Sequence, residues 1–244
     1  MKGLILAAGY ATRLRPLTDS TPKMLLPVGG RPVLDWIWDK LLEVRELDDL
    51  HLVTNSRYAT QFEHWAEGRE IVVHDDGTTS NDDRLGALGD VALVLERAGW
   101  EGEDVLVVAG DNLFDFSLAD FVAFFADRDG SALAVYEHPV RELVSNYGVV
   151  ELDASDRVES FVEKPANPPS NLVATATYAF DRSHLALLHA YIADGQSTDA
   201  PGNFVAWLHS RVPVYGFRFA GEWLDIGDLS QLRAADEHYS RRTP

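Results

Sequence analysis

The stretch LILAAGYATRLRPLTDSTPKMLLPV, residues 4–28, begins as a buried strand and turns abruptly into a loop of small, basic and proline residues. A strand running into AAGYATR brings the backbone N–H groups of small residues to the carboxyl edge of a sheet, where open α/β sheets bind their ligands. Gly9 and the alanines Ala7 and Ala8 let a flat base or a phosphate approach the main chain closely. With Leu6 they form the candidate nucleotide-binding turn. Neither a Walker A loop nor a GxGxxG fingerprint is present. Arg13, Arg15 and Lys23 follow within the same stretch. Guanidinium forks and an ammonium point charge suit a polyphosphate.

That cluster stands against an acidic background. The chain has 244 residues, enough for one sizeable α/β domain and too few for two with a linker. Its 46% hydrophobic and 25% charged residues are a globular balance and argue against disorder. A formal net charge of −18 repels nucleic acid and anionic lipid, which excludes both as expected partners. It repels nucleotides as well, so the position of each cation is informative. Genomic composition or adaptation to high salt accounts for the acidic average, but not for the placing of two of the four lysines in TPKMLLP and VEKP. With no cysteine there is no disulfide framework, and a cytoplasmic, reducing setting is expected. No apolar run approaches the roughly 20 residues of a membrane span. The apolar N-terminus ends before Arg13 and reads as a first strand rather than a signal peptide.

Periodicity predicts alternating strands and helices. Residues 4–7 form the first strand, and PVLDWIWDKLLEV puts Val33, Leu34, Ile37, Trp38, Leu41 and Leu42 on one helical stripe. LHLVTN, EIVVHD and DVLVVAGD read as strands, with YATQFEHWAEG and GALGDVALVLERAG as helices between them. SLADFVAFFADRDG reads as a helix capped by Ser117 and stopped by Gly130. Continuous apolar strands alternating with helices imply a mainly parallel sheet covered on both faces. From Ser131 the pattern becomes SALAVYE, YGVVEL, RVESFVEK and LVATATYAF, strands joined by turns, so a mixed or antiparallel second part is expected. RSHLALLHAYIADG and GNFVAWLHSR read as helices, VPVYGFRFAG as a strand, and a last helix follows Gly227 with Asp228 as its cap. SRRTP is expected to fray. The whole reads as a single domain: a nucleotide-binding part over 1–130, a sugar-phosphate part over 131–228, and a terminal helix and tail over 229–244.

Two carboxylates each follow a strand, Asp111 in VLVVAGDN and Asp225 in GEWLDIGD. A carboxylate at a sheet edge needs a partner, and Mg²⁺ is a natural one. The eight histidines show no close metal spacing, the DRD of residues 127–129 ends an amphipathic helix, and GxSxG is absent.

The pattern LAAGxxTRLRPLTxxxPKxLLPV, about a dozen fixed positions, resembles the signature of the nucleotidyltransferases that make nucleoside-diphosphate sugars, the family of glucose-1-phosphate thymidylyltransferase and mannose-1-phosphate guanylyltransferase. The resemblance covers residues 2–228 and implies a nucleotide-diphospho-sugar transferase fold, Rossmann-like, with a mixed, mainly parallel sheet. It implies catalytic roles for Arg13 and Lys23, and a nucleotide held by Leu6, Ala7, Ala8, Gly9, Gly86 and Asp111. It further implies a Mg²⁺ ion on Asp111 and Asp225. Glu163 and Lys164 of VEKP, Gly148 of NYGVV, Asn171, Thr175 and Tyr178 of NLVATATYAF, and Trp223 with Gly227 match family positions, most of them around the sugar phosphate. The sequence departs at Ala176, where a glycine is common. DGTTSNDDRLGALGD falls where the family recognises the base, and differs from the glutamine-containing thymidylyl version. The expected reaction joins an NTP and a sugar 1-phosphate, first of all dTTP or UTP with glucose 1-phosphate. Mannose-1-phosphate guanylyltransferase, a phosphocholine-type cytidylyltransferase and a non-catalytic nucleotide sensor are the alternatives. No acyltransferase-like region follows, so a single activity is expected, and homo-oligomerisation is left open.

Overall fold

A computed structural model describes residues 1–241. Strand β1 (Lys2–Leu6) leads into three short 3-10 turns at Thr12–Leu14, Leu17–Asp19 and Lys23–Leu25. A small ribbon of β2 (Pro27–Val28) and β3 (Arg31–Pro32) precedes α1 (Val33–Leu42). Strands and helices then alternate: β4 (Asp49–Thr54), α2 (Ala59–Ala66), β5 (Val72–Asp75), α3 (Ala87–Ala98) and β6 (Val105–Ala109). After β7 (Asn112–Phe114) and α4 (Leu118–Ala126) come β8 (Ser131–Glu137), β9 (Gly148–Leu152), β10 (Val158–Glu163) and β11 (Leu172–Phe180). The chain closes with α5 (Arg182–Leu185), α6 (Leu188–Ala193), α7 (Pro201–Leu208), β12 (Val214–Phe219), β13 (Trp223–Asp225) and α8 (Leu229–Ser240).

The main sheet runs β10-β9-β11-β6-β1-β4-β5, with β8 on β11 and β12 on β8. Strands β5, β4, β1 and β6 are parallel. β11 runs antiparallel to β6 and β8, β9 and β10 form an antiparallel pair, and β12 returns parallel to β8. Successive residues point to opposite faces, and both faces are covered. Ile5, Leu106 and Val108 pack with α1 and α4. Leu4, Val105 and Val107 pack on the other side with α3, α6 and α7. The chain leaves β1 for β4 on one side and later returns to β6 on the other. The loop after β1 therefore lies at a topological switch point, the crevice where such sheets receive ligands. Among the described residues no helix is long and apolar enough to cross a membrane.

Some local expectations need correction. Leu42, the last residue of α1, is 60% exposed and does not join the buried stripe. Ser117 caps α4 by accepting from the Asp120 N–H, but the helix stops at Ala126 with Asp127 as its C-cap. Gly130 serves the next strand instead, because a Cβ there would lie 2.4 Å from the Pro213 carbonyl oxygen. The helix expected over RSHLALLHAYIADG is two: the Leu187 N–H bonds back only to His184, tightening the turn between α5 and α6. Ser240 still belongs to α8 and Arg241 caps it, while the rest of the expected tail lies outside the described residues.

Strand β11 carries an irregularity between Ala174 and Tyr178, and within it Ala176 has φ 54°. That is the left-handed region glycine adopts without strain. We expect Ala176→Gly to raise stability by about 0.5–1 kcal/mol, after the entropic cost of glycine, and the melting temperature by about 1–3 °C. At the other end, Asp228 caps α8 by accepting from the Ser230 and Gln231 N–H groups. Asp228→Ala is expected to cost about 1 kcal/mol, a fall of about 2–4 °C in a thermal melt.

Candidate active site

A cleft of about 390 Å³ opens along the carboxyl edge of the central strands. Leu6, Ala8 and Gly9 line it where β1 ends. The side chain of Asn55, just past β4, donates to the Ala8 carbonyl at 2.8 Å and pins the loop. Ala7 turns away: it is fully buried, and its N–H donates to the Val53 carbonyl. Across the cleft Gly86 precedes α3 at φ 78°, and a Cβ there would stand 2.6 Å from the Thr198 carbonyl oxygen. No other residue fits that close approach.

The two aspartates meet through a device that periodicity did not reveal. β7 and β13 pair antiparallel with Asn112 opposite Asp225, and the Ile226 N–H donates to the Asp111 carbonyl at 3.1 Å. Residues far apart in sequence are thereby brought to one wall of the cleft. The Lys23 ammonium forms an ion pair with Asp111 Oδ2. Asn112 Nδ2 donates to Asp111 Oδ1 at 2.8 Å, and Trp223 Nε1 donates to Asn112 Oδ1 at 2.7 Å. Trp223 thus orients the amide that holds the aspartate. Burial would raise the Asp111 carboxyl, but Lys23 and Asn112 hold it below the usual range. The Asp225 carboxyl goes the other way, pushed up by burial and by the charge on Asp111. Lys23, Arg13 and Lys164 all oppose that rise. Arg13 is exposed beside the cleft rather than in its lining.

On the β10 side, Gly148, Glu163, Lys164 and Trp223 line the cleft. Lys164 has φ 46° and donates its N–H to the Tyr147 carbonyl. Its ammonium lies 3.8 Å from Glu163, whose carboxyl burial pushes up and Lys164 pulls back. Three residues expected here do not reach the lining. Thr175 is fully buried and its hydroxyl donates to the Ala134 carbonyl, because the irregularity in β11 presents Ala174 and Ala176 to the cleft instead, along with Tyr178, which does line it. Asn171 is held outside by Arg141, with its carbonyl accepting from the His138 N–H. Gly227 donates to the Gln231 side chain at the start of α8.

Other lining residues were not named singly, although Asp76, Arg84 and Asp90 belong to the DGTTSNDDRLGALGD stretch expected at the base. Asp76, Arg84 and Asp90 stand at the β5 end, and Pro201 and Gly202 at the start of α7 close over Glu163. Arg84 forms a 3.1 Å ion pair with Asp199, and Thr198 donates to the Leu85 carbonyl, so the loop before α7 braces the loop before α3. Asp90 left a signal in the sequence: it sits on the buried stripe of α3 with Val91 and Val94, where a lone carboxyl is costly.

A sequence model described as "Nucleotidyl transferase" matches residues 2–242. The chain is 31% identical over 245 residues to the UTP–glucose-1-phosphate uridylyltransferase AglF of Haloferax volcanii, covering 100% of this chain and 98% of that protein. It is 30% identical over 241 residues to a UTP–glucose-1-phosphate uridylyltransferase of Synechocystis sp., and 28% identical over 238 residues to the bifunctional protein GlmU of Methanocaldococcus jannaschii. It spans 61% and 54% of those two proteins' lengths, with 94% and 98% of its own. The UDP-glucose pyrophosphorylase structure from Acinetobacter baumannii superposes with a TM-score of 0.80 at 20% identity, covering 100% of this chain and 94% of that one, which shows a shared fold. With its fold, the loop after β1 and a match over nearly its whole length, the chain belongs to the nucleotidyl transferase family.

Proposed function

We propose that the protein joins a nucleoside triphosphate to a sugar 1-phosphate, releasing pyrophosphate and leaving a nucleoside-diphosphate sugar, with glucose 1-phosphate and UTP or dTTP as the first pair to test. The observation that carries this reading is one cleft lined by Lys23, paired with Asp111, and by Asp225, Glu163 and Lys164. The relatives' names supply the sugar and the base.

In this reading an oxygen of the sugar phosphate attacks the α-phosphorus in line, and the bond to the bridging oxygen of pyrophosphate breaks. The nucleophile is already an anion at neutral pH, so no general base is needed. The obstacle is repulsion between two polyanions, and neutralising charge is what these residues do. Residues 1–130 supply the nucleotide subsite, with Leu6, Ala8, Gly9 and Gly86 against the nucleoside and Arg13 and Lys23 on the phosphates. Residues 131–228 supply the sugar-phosphate subsite, with Lys164 on the phosphate and Glu163, Gly148 and Trp223 around the sugar.

The donor set fits Mg²⁺. Two carboxylates share one wall, and the Asp225 carboxyl is pushed up by burial and then by the charge on Asp111, a repulsion that a divalent cation would relieve. Mg²⁺ takes one or two protein carboxylates and completes its shell with water and phosphate oxygens. Held by Asp111 and Asp225, it would orient the triphosphate and stabilise charge on the transferring group. The acidic surface and the lack of cysteine support a cytoplasmic enzyme with no nucleic-acid or membrane partner.

Pyrophosphate release over a grid of NTPs and sugar 1-phosphates, with phosphocholine as a further acceptor, tests the reaction. Release is expected with at least one sugar 1-phosphate and is expected to stop with EDTA. Binding without release from any pair would mark a sensor instead. Asp111→Asn and Asp225→Asn are each expected to lose at least about 10²-fold in turnover. Near-normal Mg²⁺-dependent rates in both would remove the metal assignment.

A further inference from the structure

The edge of the sheet carries a cluster of titratable groups with no part in the chemistry above. β5 is the last strand of the sheet and pairs only with β4. His51 shares a face of β4 with Val53, and His74 of β5 stands opposite Val53, so both imidazoles lie on the face that α3 covers. His51 is 6% exposed and packs its ring on Trp100 and on His74, with centroids 4.3 and 4.7 Å away. Asp49 accepts from Trp100 Nε1 at 2.9 Å and lies 3.2 Å from His51 Nε2. His51 Nδ1 is 2.9 Å from His74 Nε2. The direction of each bond follows from what each atom can do. A carboxylate only accepts, so His51 Nε2 carries a proton. The neutral ring then leaves Nδ1 bare, and that atom accepts from His74 Nε2. A further proton on His51 Nδ1 would set two N–H groups against each other. On His74 it would add a cation in the field of Arg97, whose guanidinium donates to the Asp75 carbonyl at 2.6 Å. The charged groups around the pair are Asp49 on β4, Asp75 on β5, Arg97 on α3 and Lys2 on β1. Burial, His51 and Arg97 together push His74 down to about 4 against the pull of Asp49. Burial pushes His51 down as well.

We propose that Asp49, His51 and His74 form an acid-sensitive clamp: with both imidazoles neutral it holds edge strand β5 against β4 and α3, and protonation of the pair releases the strand. Val72, on the same face of β5 as His74, is 48% exposed, so the apolar grip on that face is slight. The end of β5 leads straight into the cleft. The Asp75 carboxylate accepts from the Ser56 hydroxyl at 2.7 Å and from the Gly77 N–H at 2.8 Å. The Asp76 N–H donates to the Thr54 carbonyl at 2.8 Å, and Asp76 lines the cleft. A β5 strand that loosens therefore carries one end of the cleft with it. The sign of the effect follows from the direction of the shifts. Both imidazoles bind a proton less readily in the folded chain than at the ordinary histidine value of 6.5. The stability they contribute is present above that value and is lost as the pH falls from there toward about 4. The clamp stands apart from the reading given under Proposed function, whereas its effect on nucleotide affinity rests on that reading.

The test follows the ring nitrogens of both histidines by NMR between about pH 7.5 and about pH 4.5, beside amide hydrogen exchange of Val73 and His74 corrected for the intrinsic rate. In wild type both rings are expected to stay neutral below about pH 5.5, with the His74 proton on Nε2. Protection of the β5 amides is expected to fall at least about tenfold between about pH 7 and about pH 5. His74→Gln keeps a donor for His51 Nδ1 and removes a titrating group, and is expected to cut that fall to about threefold or less. Calorimetric affinity for UTP is expected to weaken with β5 protection in wild type, and to weaken less in the variant. A His74 that titrates at its ordinary value in folded wild type, β5 protection that does not change with pH, or an equal fall in folded His74→Gln overturns the inference. The wild-type measurements decide the matter even where the variant does not fold. UTP affinity that holds while β5 loosens overturns the link to the cleft. Absence of UTP binding at every pH would count against the proposed reaction, while the ring titration and the exchange would still decide the clamp.

Discussion

Two carboxylates that repel each other, Asp111 and Asp225, share one wall of a cleft because a three-residue ribbon holds them there. Around that repulsion the rest of the cleft is arranged. Lys23 comes from the loop after β1 to pair with Asp111, and Trp223 fixes the amide that bonds its other oxygen. A charge pair taken out of water contributes little net stability, whereas losing one partner of a buried pair costs about 3–5 kcal/mol. An arrangement of this kind marks a place kept for chemistry rather than for folding energy. In a chain with a net charge of −18, the cleft also receives two of the four lysines, Lys23 and Lys164.

Backbone strain falls in the same region. Lys164 and Ala176 line the cleft with positive φ, and Ala11, with φ 46°, precedes the turn that carries Arg13. Left-handed conformations at such residues cost roughly 1–3 kcal/mol and persist where the surroundings hold them. Here the surroundings are the strand ends of a rigid sheet. Side chains set on them are aimed more firmly than loops alone would allow.

Most of the fold was legible because its signals are periodic. Strands such as VLVVA and helices such as VLDWIWDKLL bury residues at spacings that local geometry imposes. The loop after β1 and the placing of Lys23 were legible from residue type and charge. What periodicity could not show was pairing between short segments distant in sequence. The β7–β13 ribbon is too brief to alternate, so the meeting of Asp111 and Asp225 rested on resemblance until the structure supplied the register. Thr175 faces away from the cleft because an irregular strand shifts which residues line it, and nothing in NLVATATYAF announces where the shift falls, while Asn171 lies before the strand and is tied to Arg141. Asp90 ends the stretch expected at the base and was not singled out there, although a charge on an apolar stripe marks it.

The ribbon has a bearing on how the protein comes into being. A ribosome delivers Asp111 early, in the half of the chain that folds as a run of parallel units, and Asp225 only on the strand before the closing helix. The parallel half can collapse while translation continues, but the pair stays incomplete until β13 has been made. A nascent chain that stops short of β13 holds the loop after β1 and Asp111 without the second carboxylate.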